Sequence, residues 1–288
     1  MNKKIIGIFV CTLLTTTVVS ATNINIKNDI QKTASGIDVP LWTVGDSWTY
    51  NEQYVNHMYN LNGALVYLWI HNCTSTYIVN DATGDNYKVE MSSTNNEGQV
   101  MIGKYHFKFT KSTMLTGELT LRKTDLGTVS RSWQEKGLVY WLIGNTISIP
   151  AQYNDAWEGT YSPPDVTLPF PLAAGTNGAL PNVSYAGHEK CSIYWGLITL
   201  YNWPEVIGWT GEQNYMCEMA DITVPAGNYD AYNVSIEQTY GGGTQGIEWS
   251  YYVPEVGWIA KQIFDIPDFN GKPGFIFKSE LVSTTYSP

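Results

Sequence analysis

Residues 234–253 carry the sequence VSIEQTYGGGTQGIEWSYYV, in which three glycines separate two stretches of alternating apolar and polar residues. Alternation with a period of two is typical of a β-strand with one buried face. A glycine-rich turn between two such stretches predicts a hairpin. Folding about the glycines places Ile236 opposite Trp249 and Val234 opposite Tyr251, so the apolar residues share one face. The segment therefore predicts an antiparallel β-hairpin.

The composition of the chain extends this prediction to the whole protein. Aromatic residues make up 14% of the 288 residues, and the chain contains 26 glycines. Aromatic residues favour strands, while glycines favour turns. We expect an all-β fold, or nearly so, built from two antiparallel half-barrel or sandwich-like units. An internal duplication is one interpretation, because glycine turns at Gly84 and Gly227 each lead into a stretch that contains tyrosine.

The first 21 residues have the features of a secretory signal peptide. Lys3 and Lys4 precede an apolar run, and Val19 and Ala21 supply the small residues that signal peptidase requires. The run is shorter than the ~20 residues that span a bilayer. We expect cleavage after Ala21, no transmembrane span in the mature chain, and a secreted or cell-surface location outside the cytoplasm. An uncleaved anchor is the alternative.

Prolines and polar stretches suggest how the rest of the chain is divided. Residues 22–40 are polar and are interpreted as a spacer. Four prolines between residues 163 and 171 cannot lie in the interior of a sheet. We therefore predict an N-terminal β domain at 41–164 and a C-terminal β domain at 165–288.

The charge balance restricts the partners. Without residues 1–21 the chain has 14 basic and 26 acidic residues, a formal net charge of −12. Nucleic acids and anionic membranes attract cationic surfaces, so this balance argues against them. The sequence suggests no cofactor and no metal site. The expected partners are a small apolar ligand, a glycan or a surface protein.

A second hairpin is predicted from Cys191 to Cys217, with its turn at Pro204. Reflection about Pro204 sets the two cysteines opposite each other, and opposed Cβ atoms are roughly 4.5–5.5 Å apart. That spacing is close to what a disulfide requires, and disulfides form in oxidising compartments. We therefore predict a Cys191–Cys217 disulfide. Cys73 remains, and we interpret it as a small buried apolar residue, with an intermolecular disulfide as the alternative.

Three sequons begin at Asn72, Asn182 and Asn233. Asparagine in the pattern Asn-X-Ser/Thr is the acceptor for N-linked glycans in exported proteins. These sites predict a surface-exposed glycoprotein.

Glu237 and Glu248 are the candidate catalytic residues. The predicted hairpin register places them opposite each other, and two close carboxylates can act as the acid and base of a glycosidase. In the alternative, both are solvated on the outer face. The common catalytic motifs are absent from the sequence, which favours a protein that is not an enzyme.

The chain contains 11 tryptophans and 20 tyrosines. Exposed aromatic rings can stack on sugars, but most aromatic side chains in β folds belong to the core. Trp203, at the predicted hairpin tip, is the main candidate for carbohydrate binding, together with Trp209 and Trp249.

Two segments carry a family resemblance: TVPAGNYDAYNV at 223–234 and YYVPEVGWIAK at 251–261. They resemble the C-terminal half of uncharacterised secreted proteins of archaea and bacteria, similar to TapB-like and LolA/LolB-like half-barrel lipoproteins, over roughly residues 170–285. The stretch WTVGDSWTY at 42–50 resembles the opening of archaeal exported proteins. The resemblance implies an open barrel whose apolar concave face holds acyl chains. This chain lacks a lipobox, and no catalytic residue carries over.

These observations favour an exported, non-catalytic binding protein at the cell surface, for an apolar small molecule or a partner protein. Carbohydrate binding through exposed tryptophans is the first alternative. A glycosidase-like enzyme that uses Glu237 and Glu248 is the second.

Overall fold

Every regular element in the described chain is a β-strand, which confirms the all-β prediction for this part. The computed structural model describes residues 36–60, 62–144, 147–240, 245–267 and 271–288, with the backbone alone at 203, 205, 207, 209 and 240. The predicted signal peptide, residues 1–21, lies outside the described residues. The strands are β1 (Ser47–Tyr59), β2 (Leu65–Asp81), β3 (Asn86–Ile102), β4 (Tyr105–Phe109), β5 (Met114–Arg122), β6 (Thr128–Ile143), β7 (Ile147–Asp165), β8 (Thr176–Trp195), β9 (Ile198–Val224), β10 (Gly227–Tyr240), β11 (Gln245–Val253), β12 (Trp258–Ile266) and β13 (Phe275–Thr284).

These 13 strands form one antiparallel sheet whose hydrogen bonding runs in a ring. Most strands pair with their neighbours in the chain, and β1 pairs with both β2 and β13. β4 and β5 share one position, because each pairs with β3 and with β6. The two predicted units, 41–164 and 165–288, therefore contribute to a single sheet, and Ser35–Pro288 is one compact unit.

Alternation along each strand separates an inward face from an outward face. In β1, Trp48, Tyr50 and Glu52 are buried, whereas Asn51 and Gln53, which alternate with them, are exposed. Directly opposed residues of an antiparallel pair lie on the same face. The registers therefore carry this assignment from β1 around the ring, and they place both apolar and charged side chains inside.

The capped end is the end of the sheet where β1 begins and β13 stops. A tryptophan cluster fills it, with ring centroids 4.8–4.9 Å apart among Trp42, Trp48 and Trp258. The indole of Trp42 donates a hydrogen bond to the carbonyl of Gly257 at 2.9 Å. The chain before β1 contributes to this end, because Ile37 exchanges backbone hydrogen bonds with the loop between β7 and β8. Part of the segment interpreted as a spacer thus belongs to the fold.

The hairpin end is the opposite end, where β1–β2, β3–β4, β6–β7, β8–β9, β10–β11 and β12–β13 turn. The β10–β11 hairpin is present, as predicted. The β8–β9 hairpin turns at residues 196–197, so the predicted turn at Pro204 is wrong. Pro204 lies inside β9 opposite Lys190, in a stretch that pairs with β8 only among the described residues. Proline has no backbone N–H to donate, but on such an edge no neighbouring strand requires that hydrogen bond. The strand can therefore continue through Pro204.

Two glycines make room for an aromatic ring inside the sheet. Gly159 on β7 lies opposite Gly187 on β8, and an ideal Cβ at either position would overlap the phenol of Tyr185. Tyr185 in turn stacks on Trp157 at 5.4 Å between centroids. The absence of side chains at these glycines therefore allows the ring to lie flat against the wall of the sheet.

Candidate functional site

The predicted carboxylate pair is not formed. The observed register of β10–β11 differs by one residue from the predicted one, so Glu237 lies opposite Ile247 and Glu248 lies opposite Ile236. Ile236 is buried inside the sheet, whereas Glu237 is exposed. The two glutamates therefore lie on opposite faces, because a one-residue shift moves a side chain to the other face.

The β10–β11 register differs from the predicted one because the interior of the sheet near β11 is polar. Inside the sheet, Glu248 accepts hydrogen bonds from the Ser250 hydroxyl at 2.8 Å and from the Gln262 amide at 2.7 Å. The sequence prediction aligned apolar residues with apolar residues. The structure instead places Glu248 and Ser250 inside, where Gln262 satisfies them.

The predicted disulfide is also not formed: Cys73, Cys191 and Cys217 are all free and buried. With the turn at residues 196–197, Cys191 lies opposite Trp203, and Cys217 lies opposite Thr176 at the far end of β8. At about 3.3 Å per residue, the two cysteines are roughly 50 Å apart along the strand. A disulfide requires Cα atoms within about 7 Å, so this fold excludes the bridge.

The three candidate tryptophans are not at a hairpin tip. The backbone of Trp203 lies within β9, opposite Cys191, and that of Trp209 lies opposite Tyr185. The side chains of Trp203 and Trp209 are outside the described part of the chain. Trp249 is half-buried on the outward face of β11, between Ser235 and Ile263. Carbohydrate binding through these residues stays a prediction.

The sequons differ in how accessible their asparagines are. Asn72 and Asn182 are exposed. Asn233 is half-buried, and its side-chain oxygen is enclosed without a hydrogen-bond partner among the described residues. Asn72 and Asn182 are therefore the better acceptors, and their glycosylation stays a prediction.

An open groove of about 550 Å³ lies along β1, β2, β12 and β13. Its lining is mostly polar and includes Asn51, Gln53, Thr74 and Lys278. This groove is therefore not the apolar concave face that the family resemblance implies.

A first buried polar cluster is centred on the carboxylate of Glu52. The hydroxyls of Tyr54 and Tyr77 donate hydrogen bonds to it, each at 2.8 Å. Burial raises the pKa of Glu52, although hydrogen bonds from Ser75, Tyr77 and Tyr54 oppose this effect. Cys73 lies beside the cluster, with its sulfur 3.3 Å from the Ser75 hydroxyl. Buried as it is, Cys73 packs as a small residue, in agreement with its interpretation from the sequence.

A buried ion pair lies next to it. His71 and Glu135 are fully buried, and His71 Nδ1 is 2.7 Å from a carboxylate oxygen of Glu135. The other ring nitrogen of His71 is 2.9 Å from the side-chain oxygen of Asn96, and the Trp69 indole donates to Glu135 at 3.2 Å. Burial disfavours the charged imidazole, but the Glu135 carboxylate outweighs burial and raises the pKa of His71 to about 10. His71 is therefore an imidazolium at neutral pH.

Asp155 is a buried carboxyl that forms no salt bridge with a described residue. Burial, followed by the nearby carboxylates of Glu189 and Glu135, raises its pKa to about 8. The Tyr153 hydroxyl donates to one oxygen at 3.2 Å, while the other oxygen has no hydrogen-bond partner among the described residues. Asp155 is therefore largely protonated at neutral pH.

A further inward charge is the guanidinium of Arg131, which lies over two aromatic rings of β7. It is 4.6 Å from the ring centroid of Trp157 and 5.8 Å from that of Tyr161, and both rings are buried inside the sheet. Arg131 is nevertheless exposed. An inward side chain can be exposed only to space inside the sheet, so Arg131 faces an internal, solvent-accessible chamber.

Two carboxyls face the same chamber. Asp165 and Glu248 both interact electrostatically with Arg131 and with Tyr161. Among the described residues, no carboxylate oxygen lies within 4.0 Å of the guanidinium, since Arg131 forms none of the salt bridges. Burial raises the pKa of Asp165 and raises that of Glu248 to about 7. We call Arg131, Trp157, Tyr161, Asp165 and Glu248 the Arg131 chamber.

Sequence reasoning missed the Arg131 chamber. The stretch Arg131-Ser132-Trp133-Gln134-Glu135 alternates, but polar and charged residues occupy both faces. Its pattern therefore did not show which face is inward. An arginine two residues before a tryptophan was the available signal, because stacking on aromatic rings is a common role of arginine.

In the part of the chain that the structure describes, no group of three or more His, Cys, Asp or Glu side chains is arranged to hold a metal ion. Nor does this part contain a helix that is long and apolar enough to cross a membrane. No family model matches the chain, and neither the curated proteins nor the solved structures gave a match.

Proposed function

We propose that the protein is an exported, non-catalytic binding protein that holds a small apolar molecule with an acidic group inside its closed sheet. The observation that carries this proposal is the guanidinium of Arg131, which is inward, exposed and stacked on Trp157. The secretory features of residues 1–21 support a location outside the cytoplasm.

The chemistry of the chamber favours an anion over a cation. A guanidinium presents planar donors that match a carboxylate or a sulfonate in a bidentate arrangement. Burial raises the pKa of Glu248 to about 7, so this carboxyl is only partly ionised at neutral pH and competes less for Arg131. An external acid can therefore become the partner of the guanidinium.

The walls favour an apolar, flat ligand body. Trp157 and Tyr185 stack at 5.4 Å, and Trp133 and Trp157 stack at 6.3 Å, so aromatic faces line this side of the interior. Ligand sites typically combine such apolar walls with a few placed polar groups. β9 also extends beyond β10, with residues 198–210 pairing with β8 only in the described chain, which leaves one side of the interior less enclosed.

Titration calorimetry with 2-naphthoate and its neutral analogue 2-naphthalenemethanol tests the proposal. We expect the acid to bind more tightly than the alcohol, and Arg131→Met to weaken binding of the acid about tenfold or more, or about 1.4 kcal/mol. The alcohol should bind equally to both proteins.

Lys88→Met is the matched control, because Lys88 is exposed on β3 and its replacement also removes one positive charge. Thermal unfolding of each variant establishes that it is folded. Equal binding of the acid to wild type and Arg131→Met would contradict the proposal, as would equal affinity for acid and alcohol in the wild type.

A further inference from the structure

Three hairpins at the hairpin end carry no charged residue over long stretches. Asp, Glu, Lys and Arg are absent from residues 53–80, 137–154 and 191–204. These stretches contain the β1–β2, β6–β7 and β8–β9 turns, respectively. Because antiparallel strands alternate in direction, all three turns lie at the same end of the sheet.

The tips of these hairpins expose large apolar side chains. Leu197, between β8 and β9, is fully exposed, and Ile147 and Ile198 each expose 54% of their surface. The other exposed apolar residues near these tips are Met58, Leu65, Val66, Tyr140, Ile143, Tyr194 and Trp195. A soluble surface rarely gathers so many large apolar side chains at one place without a partner.

The order of residues along the β8–β9 hairpin matches the depth profile of a lipid bilayer. The aliphatic Leu197 lies in the turn itself, and the aromatic residues Trp195 and Tyr194 follow two and three positions behind it. In membranes, aliphatic side chains enter the hydrocarbon region while tryptophan and tyrosine lie at its interface with water.

The capped end is more highly charged than these three hairpins. Three of its five connections, β2–β3, β5–β6 and β11–β12, carry charged side chains, whereas β7–β8 and β9–β10 carry none. The charged side chains at this end include Asp46, Asp81, Asp85, Arg122, Lys123, Asp125 and Glu255. The two ends of the closed sheet therefore differ in their content of charged residues, and folding of the sheet does not by itself require this difference.

We propose that the hairpin end inserts its three apolar tips into the surface of a zwitterionic lipid bilayer. The β3–β4 hairpin, which carries Lys104, separates the β1–β2 tip from the other two. Such interrupted tips suit insertion between lipid headgroups, whereas a stable protein interface needs a contiguous patch of about 800 Å² per partner. The formal net charge of −12 without residues 1–21 disfavours anionic lipids, so neutral headgroups are the expected surface. This surface is distinct from the Arg131 chamber and does not depend on it.

Flotation with phosphatidylcholine vesicles tests this proposal. We expect the mature wild-type protein to float with the vesicles and the double variant Ile147→Glu with Leu197→Glu to lose at least tenfold in partitioning. Both positions are exposed, so the substitutions leave the core intact, and thermal unfolding checks this.

The matched control is Leu41→Glu with Val44→Glu, which introduces the same charges at residues that are 83% and 63% exposed before β1 at the capped end. This control should float like the wild type, and so should Arg131→Met. The proposal is overturned if the wild type stays in solution, if the two double variants partition equally, or if size-exclusion chromatography shows that the hairpin end instead joins two copies of the chain.

Discussion

Replacement of Asp155 by asparagine is expected to stabilise the protein at neutral and higher pH. Asp155 is 2% exposed, so its carboxyl titrates inside the fold. Burial, followed by the charges of Glu189 and Glu135, raises its pKa from the ordinary 3.8 to about 8. Between these two values the unfolded chain releases the proton while the folded chain keeps it. The stability of the folded state therefore falls as the pH rises through this window.

The magnitude follows from the two pKa values. Integrated from pH 4.5 to pH 8, the proton difference at this one carboxyl costs about 4 kcal/mol of unfolding free energy. Asparagine has nearly the same shape and does not titrate. Asp155→Asn should therefore remove this loss, and its advantage over the wild type should grow steadily with pH across the window.

Urea unfolding of both proteins at a series of pH values between 4.5 and 8 measures this effect. Asp265→Asn is the control, because Asp265 is exposed on β12. Its substitution should leave the pH dependence unchanged. The reasoning is refuted if Asp155→Asn and the wild type lose stability in parallel, or if the variant is the less stable protein at pH 8.

Three other changes test the packing, the register and the export signal. Gly159→Ala should lower the free energy of unfolding in urea by about 2 kcal/mol or more, because its Cβ would overlap the Tyr185 phenol. Gly208→Ala has room for a Cβ and should lower it less. Equal losses for the two variants would contradict the packing. Alkylation of the unfolded mature protein without reductant should label all three cysteines, and a mass showing only one label would contradict the observed register. N-terminal sequencing of exported protein should begin at Thr22, and an intact Met1 in that fraction would contradict cleavage.

Local patterns predicted the all-β class and the β10–β11 hairpin correctly. The alternation around the three glycines predicted the β10–β11 hairpin, because a strand and its turn depend on neighbouring residues. The interpretation of most tryptophans as core residues is confirmed for Trp42, Trp48, Trp69 and Trp157, which are buried.

The same patterns did not predict register. The prediction for β10–β11 assumed an apolar interior, whereas Glu248 is inside and bonded to Ser250 and Gln262. The prediction for β8–β9 took Pro204 as a turn, although the proline lies on an edge without a described partner from β10. Both errors arose because the environment of a strand residue depends on strands that are distant in sequence. The observed registers exclude the predicted Glu237–Glu248 pair and the predicted Cys191–Cys217 disulfide.

By itself, the sequence determined the secretory features of residues 1–21, the strand-forming character of the chain and its acidic balance, because these depend on composition and short patterns. Only the tertiary structure decided that β1 pairs with β13 and closes the sheet. Closure of the sheet separates an interior from the outer surface. It brings Arg131, Asp165 and Glu248 from three separate strands to one chamber. It also gathers three uncharged hairpins at one end. Both proposals rest on these long-range pairings, which no local pattern contains.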